Sequence, residues 1–192
     1  GGGLFQDSWW NFWSEFPASM DEIVQSWDMS FKGGKKGSFV VCQVWGRIGS
    51  QFYLLDQFRK RMSFPETQNA FKEMYARWPN AHSILVEDKA NGPAIIDSLK
   101  GQIPGIIPVT PEGSKIARAS AVSALIEAGD VFIPEPKEYP WVIPFLQECA
   151  SFPVGPNDDM VDAMSQALER LKKNITSGIF SIRKSFLKRR GG

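Results

Sequence analysis

The chain is 192 residues long, 43% hydrophobic and 12% aromatic, enough for one ordinary domain with a substantial core. Its formal net charge of +1 excludes a bulk electrostatic draw on nucleic acid, so any basic surface must come from local clusters. Two distant cysteines, Cys42 and Cys149, and a single histidine, His82, exclude a disulfide framework and a zinc cluster, and no apolar run approaches the roughly 18 residues of a membrane span. The start also lacks the basic and apolar regions of an export signal, which makes a reducing, cytoplasmic setting the expectation.

In chain order, the opening GGGLFQDSWWNFWSEFP sets Trp9, Trp10, Phe12, Trp13 and Phe16 behind three glycines. Residues 1–20 read as a flexible join followed by an aromatic helix that needs a neighbouring surface. From Glu22 come EIVQSWDMSF, SFVVCQVWGRI and SQFYLLDQFRKR, rich in β-branched and aromatic residues and separated by KGGKKG and GS, which predict consecutive antiparallel strands. SFPETQNAFKEMYARWP predicts a helix, with Ser63 as N-cap, Pro65 in the first turn, Glu66 three residues after the cap, and Phe71, Met74, Tyr75 and Trp78 at helical spacing.

HSILVE then reads as a buried strand, NGPAIIDSLKGQ as a helix, GIIPVTP as a short strand and SKIARASAVSALIEAGD as a helix ending at Gly129. The proline-punctuated VFIPEPKEYPWVIPFLQECASFP leads to a last helix, DDMVDAMSQALERLKKN. Residues 21–174 are therefore expected to form one α/β domain on a mixed central sheet, three antiparallel strands followed by parallel ones, flanked by helices. Residues 175–192, with Arg183, Lys184, Lys188, Arg189 and Arg190, read as a mobile basic tail.

Three acidic spots lie at a strand end or a helix start. Asp28 alternates onto one face of its strand with Val24, Ser26 and Ser30, where a carboxylate is costly unless it is paired, hydrogen-bonded or bound to a cation; a strand-end aspartate facing water is the plain alternative. Glu87 closes HSILVE, at the strand end where α/β sheets place ligands, although Glu87 and Asp88 could simply end the strand beside Lys89. In NDDMVDA, Asp159 and Asp162 share one helical face opposite the stripe of Met160, Met164, Ala167, Leu168 and Leu171. Asn157 or Asp158 suits an N-cap, so periodicity leaves a solvated acidic face open. If the acids converge, carboxylate oxygens without histidine or thiolate suit Mg²⁺ or Mn²⁺, and a pair of such ions about 3.5–4 Å apart would serve phosphoryl displacement.

Taken together and in order, SWDMSFKGGKKGSFVVCQVWGR, YLLDQFRKRMSFPET, ILVEDKANGPAII and NDDMVDAMSQAL resemble the C-terminal nuclease domain of large terminase subunits from tailed bacteriophages. The resemblance implies a ribonuclease H-like fold, shared with Holliday-junction resolvases and retroviral-type integrases, and an endonuclease that cuts concatemeric viral DNA during packaging in the host cytoplasm. It implies Asp28, Glu87, Asp159 and Asp162 as catalytic acids holding two Mg²⁺ or Mn²⁺ ions. Relatives often carry histidine where this motif has Asn157 or Asp158, and His82 is too far along the chain to replace it, so either Asp158 or Asp159 could face the metal. The implied partners are double-stranded DNA, an N-terminal packaging ATPase domain, the small terminase subunit and the portal, with no membrane. No G-x-x-x-x-G-K-[ST] loop occurs, so ATP hydrolysis is not expected of this chain.

Contact with DNA needs local positive charge. Lys32, Lys35 and Lys36 in the glycine-rich KGGKKG hairpin are the first candidates, Lys115 and Arg118 at the start of a helix the second, and the basic tail the third. Two rival readings stand beside the packaging nuclease. One is a resolvase- or transposase-like nuclease on the same fold. The other is a docking module with inert acids that grips a motor or portal partner.

Overall fold

A computed structural model describes residues 3–30 and 38–189. The three predicted antiparallel strands are β2 (Glu22–Ser30), β3 (Ser38–Ile48) and β4 (Gln51–Met62). They are flanked by β1 (Asn11–Trp13), β5 (Ala81–Glu87), β6 (Ile106–Val109) and β7 (Val131–Pro134). Together these form one mixed sheet in the order β1-β7-β4-β3-β2-β5-β6. The β2·β3 and β3·β4 ladders are antiparallel, and every other pairing is parallel.

Alternation along the strands builds two cores. On one face Trp27, Val40, Cys42, Ile84 and Val86 pack under α1 (Phe64–Arg77) and α2 (Gly92–Leu99). On the other, Val24, Val41, Trp45 and Leu85 pack under α3 (Lys115–Glu127), α4 (Ile143–Ser151) and α5 (Asp159–Arg189). The start of α1 is the predicted capping box: Ser63 accepts from the Glu66 amide and Glu66 accepts from the Ser63 amide. Helix α3 stops where predicted, before Gly129, whose φ of +83° suits a residue without a Cβ.

Two expectations are corrected, and one unassigned stretch gains its elements. The aromatic segment expected as a helix in residues 1–20 is a short 3₁₀ turn at Asp7–Trp9 followed by β1, which pairs with β7 and closes one edge of the sheet. Trp10 and Trp13 are buried there, so β-pairing and packing override a helix-like run of aromatics. The proline-punctuated stretch, to which no element is assigned from the sequence, holds β7 and α4, because its prolines fall at a strand end and in a first helical turn, where a missing amide is tolerated. The last helix continues through Arg189 and does not give way to a tail at residue 175. Lys32, Lys35 and Lys36 lie outside the described residues.

Candidate active site

Parallel neighbours put Asp28 and Glu87 side by side. Trp27 of β2 pairs with Val86 of β5, so the next residue on each strand points to the opposite face, toward α5. Glu87 in turn registers with Val109 of β6. Gly92, at the start of α2, makes this strand end possible: a Cβ there would lie 1.9 Å from the Glu87 carbonyl oxygen.

Buried polar groups seat α5 over these strands. The Ser26 hydroxyl donates to the Ala163 carbonyl (2.7 Å), and the Gln166 amide donates to Ser26 Oγ (2.9 Å) and the Trp27 carbonyl (3.3 Å). Gln43 donates to the Met160 carbonyl (3.1 Å) and to Gln57 (2.7 Å), and its own oxygen accepts from Trp45 (2.8 Å). The first amides of α5 are met by another element: Glu148 Oε1, on α4, accepts from Met160 N (2.7 Å) and Val161 N (2.9 Å). Ser26, Gln43, Gln166 and Glu148 did not stand out as functional in the sequence. Gln43 left one trace, a polar residue between Cys42 and Val44 inside an apolar strand.

With α5 so seated, Asp28, Glu87 and Asp162 line one end of a cavity of about 460 Å³ between the sheet edge, α3 and α5. Arg118 and Gln166 form its wall, and Lys172 and Lys173 stand toward the far end of the α5 stripe. The solvated acidic face is not what forms: Asp28 is 5% exposed, Asp159 2% and Asp162 7%. The first turn of α5 is covered by the sheet, α3 and α4, which leaves Asp159 and Asp162 largely buried.

The acids of the last motif part company. Asp162 faces the cavity, where Arg118 Nη2 lies 3.5 Å from Oδ1 and Lys115 Nζ 2.5 Å from Oδ2. Asp158 sits at the rim, 2.9 Å from the same Lys115 nitrogen. Asp159, expected beside Asp162 in the site, does not line the cavity and turns to Arg59 of β4 at 3.1 Å. Arg59 itself lies over the Phe39 ring.

Burial raises the Asp28 pKa well above the ordinary carboxylate range, reinforced by a hydrogen bond to Glu87 and by the charges of Asp162, Glu87 and Asp159. Burial also raises that of Asp162, against the lowering pull of Lys115. At Lys115 partial burial acts downward, but its bonds to Asp162 and Asp158 outweigh it and raise the pKa. Lys115 is half exposed and gains from the pair, whereas Asp162 is desolvated and recovers only part of that cost.

Among the described residues no three histidine, cysteine, aspartate or glutamate side chains stand ready as a cation cage. The donor set nevertheless fits a hard cation. Asp28 is a carboxyl whose pKa is raised first by burial and then by the charges of Asp162, Glu87 and Asp159, a repulsion that a divalent ion would relieve. Both Asp162 oxygens carry cationic partners.

A search of curated protein sequences finds no match. Among solved structures, the large terminase of a thermophilic bacteriophage superposes with a TM-score of 0.66 at 12% identity, over 87% of this chain and 44% of that one. The large terminase nuclease of the thermophilic phage G20c superposes at 0.63 and 16% identity, over 87% of this chain and 97% of that one. A further structure of the G20c nuclease, with bound magnesium, superposes at 0.62 and 16% identity, over 87% and 96%. At these identities the likeness establishes the fold, and the chain spans less than half the length of the first of these terminases. The sequence itself matches the family model for the terminase RNaseH-like domain across residues 25–171, from β2 through the buried part of α5, and the chain belongs to that family.

Proposed function

We propose that this domain is a metal-dependent DNA endonuclease that cuts concatemeric viral DNA during genome packaging in the host cytoplasm, with little sequence preference. The observation that supports it best is the meeting of Asp28, Glu87 and Asp162, drawn from three distant segments, at one end of a single cavity. The family assignment and the magnesium bound by the G20c nuclease point the same way.

Asp28, Glu87 and Asp162 are the residues that would hold Mg²⁺ or Mn²⁺. A pair of such ions, when bound, would supply an activated water and neutralise the departing oxygen of the phosphodiester. The chain's own part is to fix the acids and exclude bulk water around them. Ser26 and Gln166 hold α5, and so Asp162, at a set height above β2. Asp159, held by Arg59, fixes the first turn from the opposite side. Arg118, in the cavity wall, and Lys115, bound to Asp162, would meet a phosphate group, and the sequence alone offers Lys32, Lys35 and Lys36 as further candidates. Double-stranded DNA is the substrate, and a packaging ATPase domain, the small terminase subunit and the portal are the expected partners.

The purified chain is expected to nick or linearise supercoiled plasmid with Mn²⁺ or Mg²⁺, and Asp28→Asn and Asp162→Asn each to abolish cutting while circular dichroism stays unchanged. Undiminished cutting by both well-folded variants would sink the assignment.

A further inference from the structure

Helix α3 begins in a way that its own stability does not explain. Its first turn contains no acid. Instead Lys115 stands directly after the N-cap Ser114, and Arg118 follows one turn on, although cations are disfavoured at a helix N-terminus. What offsets this is the neighbouring helix. Lys115 Nζ bridges Asp158 Oδ2 (2.9 Å) and Asp162 Oδ2 (2.5 Å), and Arg118 Nη2 reaches Asp162 Oδ1 (3.5 Å).

The two cations differ in how firmly they are held. Arg118 is 10% exposed and also donates to the Gly113 carbonyl (3.0 Å), so it belongs to the wall. Lys115 is 48% exposed at the rim, a compact charge on a flexible stem that can swing into water. It is also the group that touches both rim and cavity acids. Asp162 lines the cavity with both of its carboxylate oxygens on positive charge.

We propose that Lys115 is an internal stand-in for the divalent cation: its ammonium bridges Asp162 and Asp158 and must swing away from both for an ion to bind. This inference rests on the metal-dependent reading above and adds its regulation, a built-in competitor that sets how much metal is needed to load the site. It also accounts for the absence of a ready cage, among the described residues, around acids whose chemistry suits one.

The test is calorimetric titration of Mn²⁺ into the whole chain, wild type beside Lys115→Met and Lys115→Gln. Both variants are expected to bind Mn²⁺ about three- to tenfold more tightly, since one half-exposed ion pair no longer has to be broken. A double-mutant cycle on thermal stability with Lys115→Met and Asp158→Asn is expected to show coupling in EDTA that vanishes in saturating Mn²⁺. A merely structural ion pair would keep the coupling in both conditions and leave the Mn²⁺ affinity unchanged, and either result overturns the proposal. Absence of any Mn²⁺ binding by the wild type would overturn the metal-dependent reading and this inference with it, whereas wild-type binding with unchanged variants would overturn this inference alone.

Discussion

Glu148 shows how much a single carboxylate can hold. Its Oε1 satisfies two amides at the start of α5, while Oε2 is buried with no protein partner. Burial raises its pKa from 4.5 to about 7, against the lowering effect of the Val161 and Met160 amides. Because the folded value lies above the unfolded one, the stability linked to this group is complete below about pH 4.5 and is lost as pH rises through about 7. Urea denaturation of the metal-free protein at pH 5 and pH 7.5 should show a loss on the order of 2 kcal/mol. Glu148→Gln keeps an oxygen for both amides and should make the loss smaller, leaving the part that comes from the raised Asp28 and Asp162. Equal losses in wild type and variant would show that the charge is stabilised elsewhere.

The strand β1 carries the clearest lesson among the elements. Trp13 donates its indole N–H to the Leu54 carbonyl (3.0 Å) and packs on Tyr139 with ring centroids 4.8 Å apart. An aromatic-rich leader therefore becomes part of the sheet edge through β7, which also joins β4. Trp13→Ala should lower unfolding free energy by about 3 kcal/mol or more, in the range of buried aromatic truncations. A change below about 0.5 kcal/mol in chemical denaturation would mean that residues 1–20 behave as the linker their sequence suggests. The helix α1, by contrast, was legible in full, because its capping box is a contact between residues three apart and needs no partner element.

Across the whole molecule, the parallel pairing of β2 with β5 brings Asp28 and Glu87 to the same sheet edge, and the chain leaves β2 at Ser30, just beyond Asp28. In the sequence the lysine-bearing KGGKKG follows shortly after Ser30. With a net charge of only +1, the DNA affinity proposed for this domain would come from local clusters. Lys35→Ala with Lys36→Ala should therefore flatten the slope of log affinity against log salt by up to about 2. An unchanged slope would remove this segment from the DNA contact and leave Lys115, Arg118 and the C-terminal part of α5.

What the sequence by itself determined is whatever depends on near neighbours along the chain. The two-residue period of EIVQSWDMS put Asp28 on the face of Val24 and Ser26, and the order of the acidic blocks pointed to a terminase-like nuclease. The division of labour within NDDMVDA was decided only by the tertiary structure. Asp159 and Asp162 are three residues apart and look alike on a helical wheel, yet one turns to Arg59 and the other to the cavity. Nothing within the helix distinguishes them. The difference comes from β4 on one side and α3 on the other, elements distant in sequence whose cations and burial set where each carboxylate can lie at least cost.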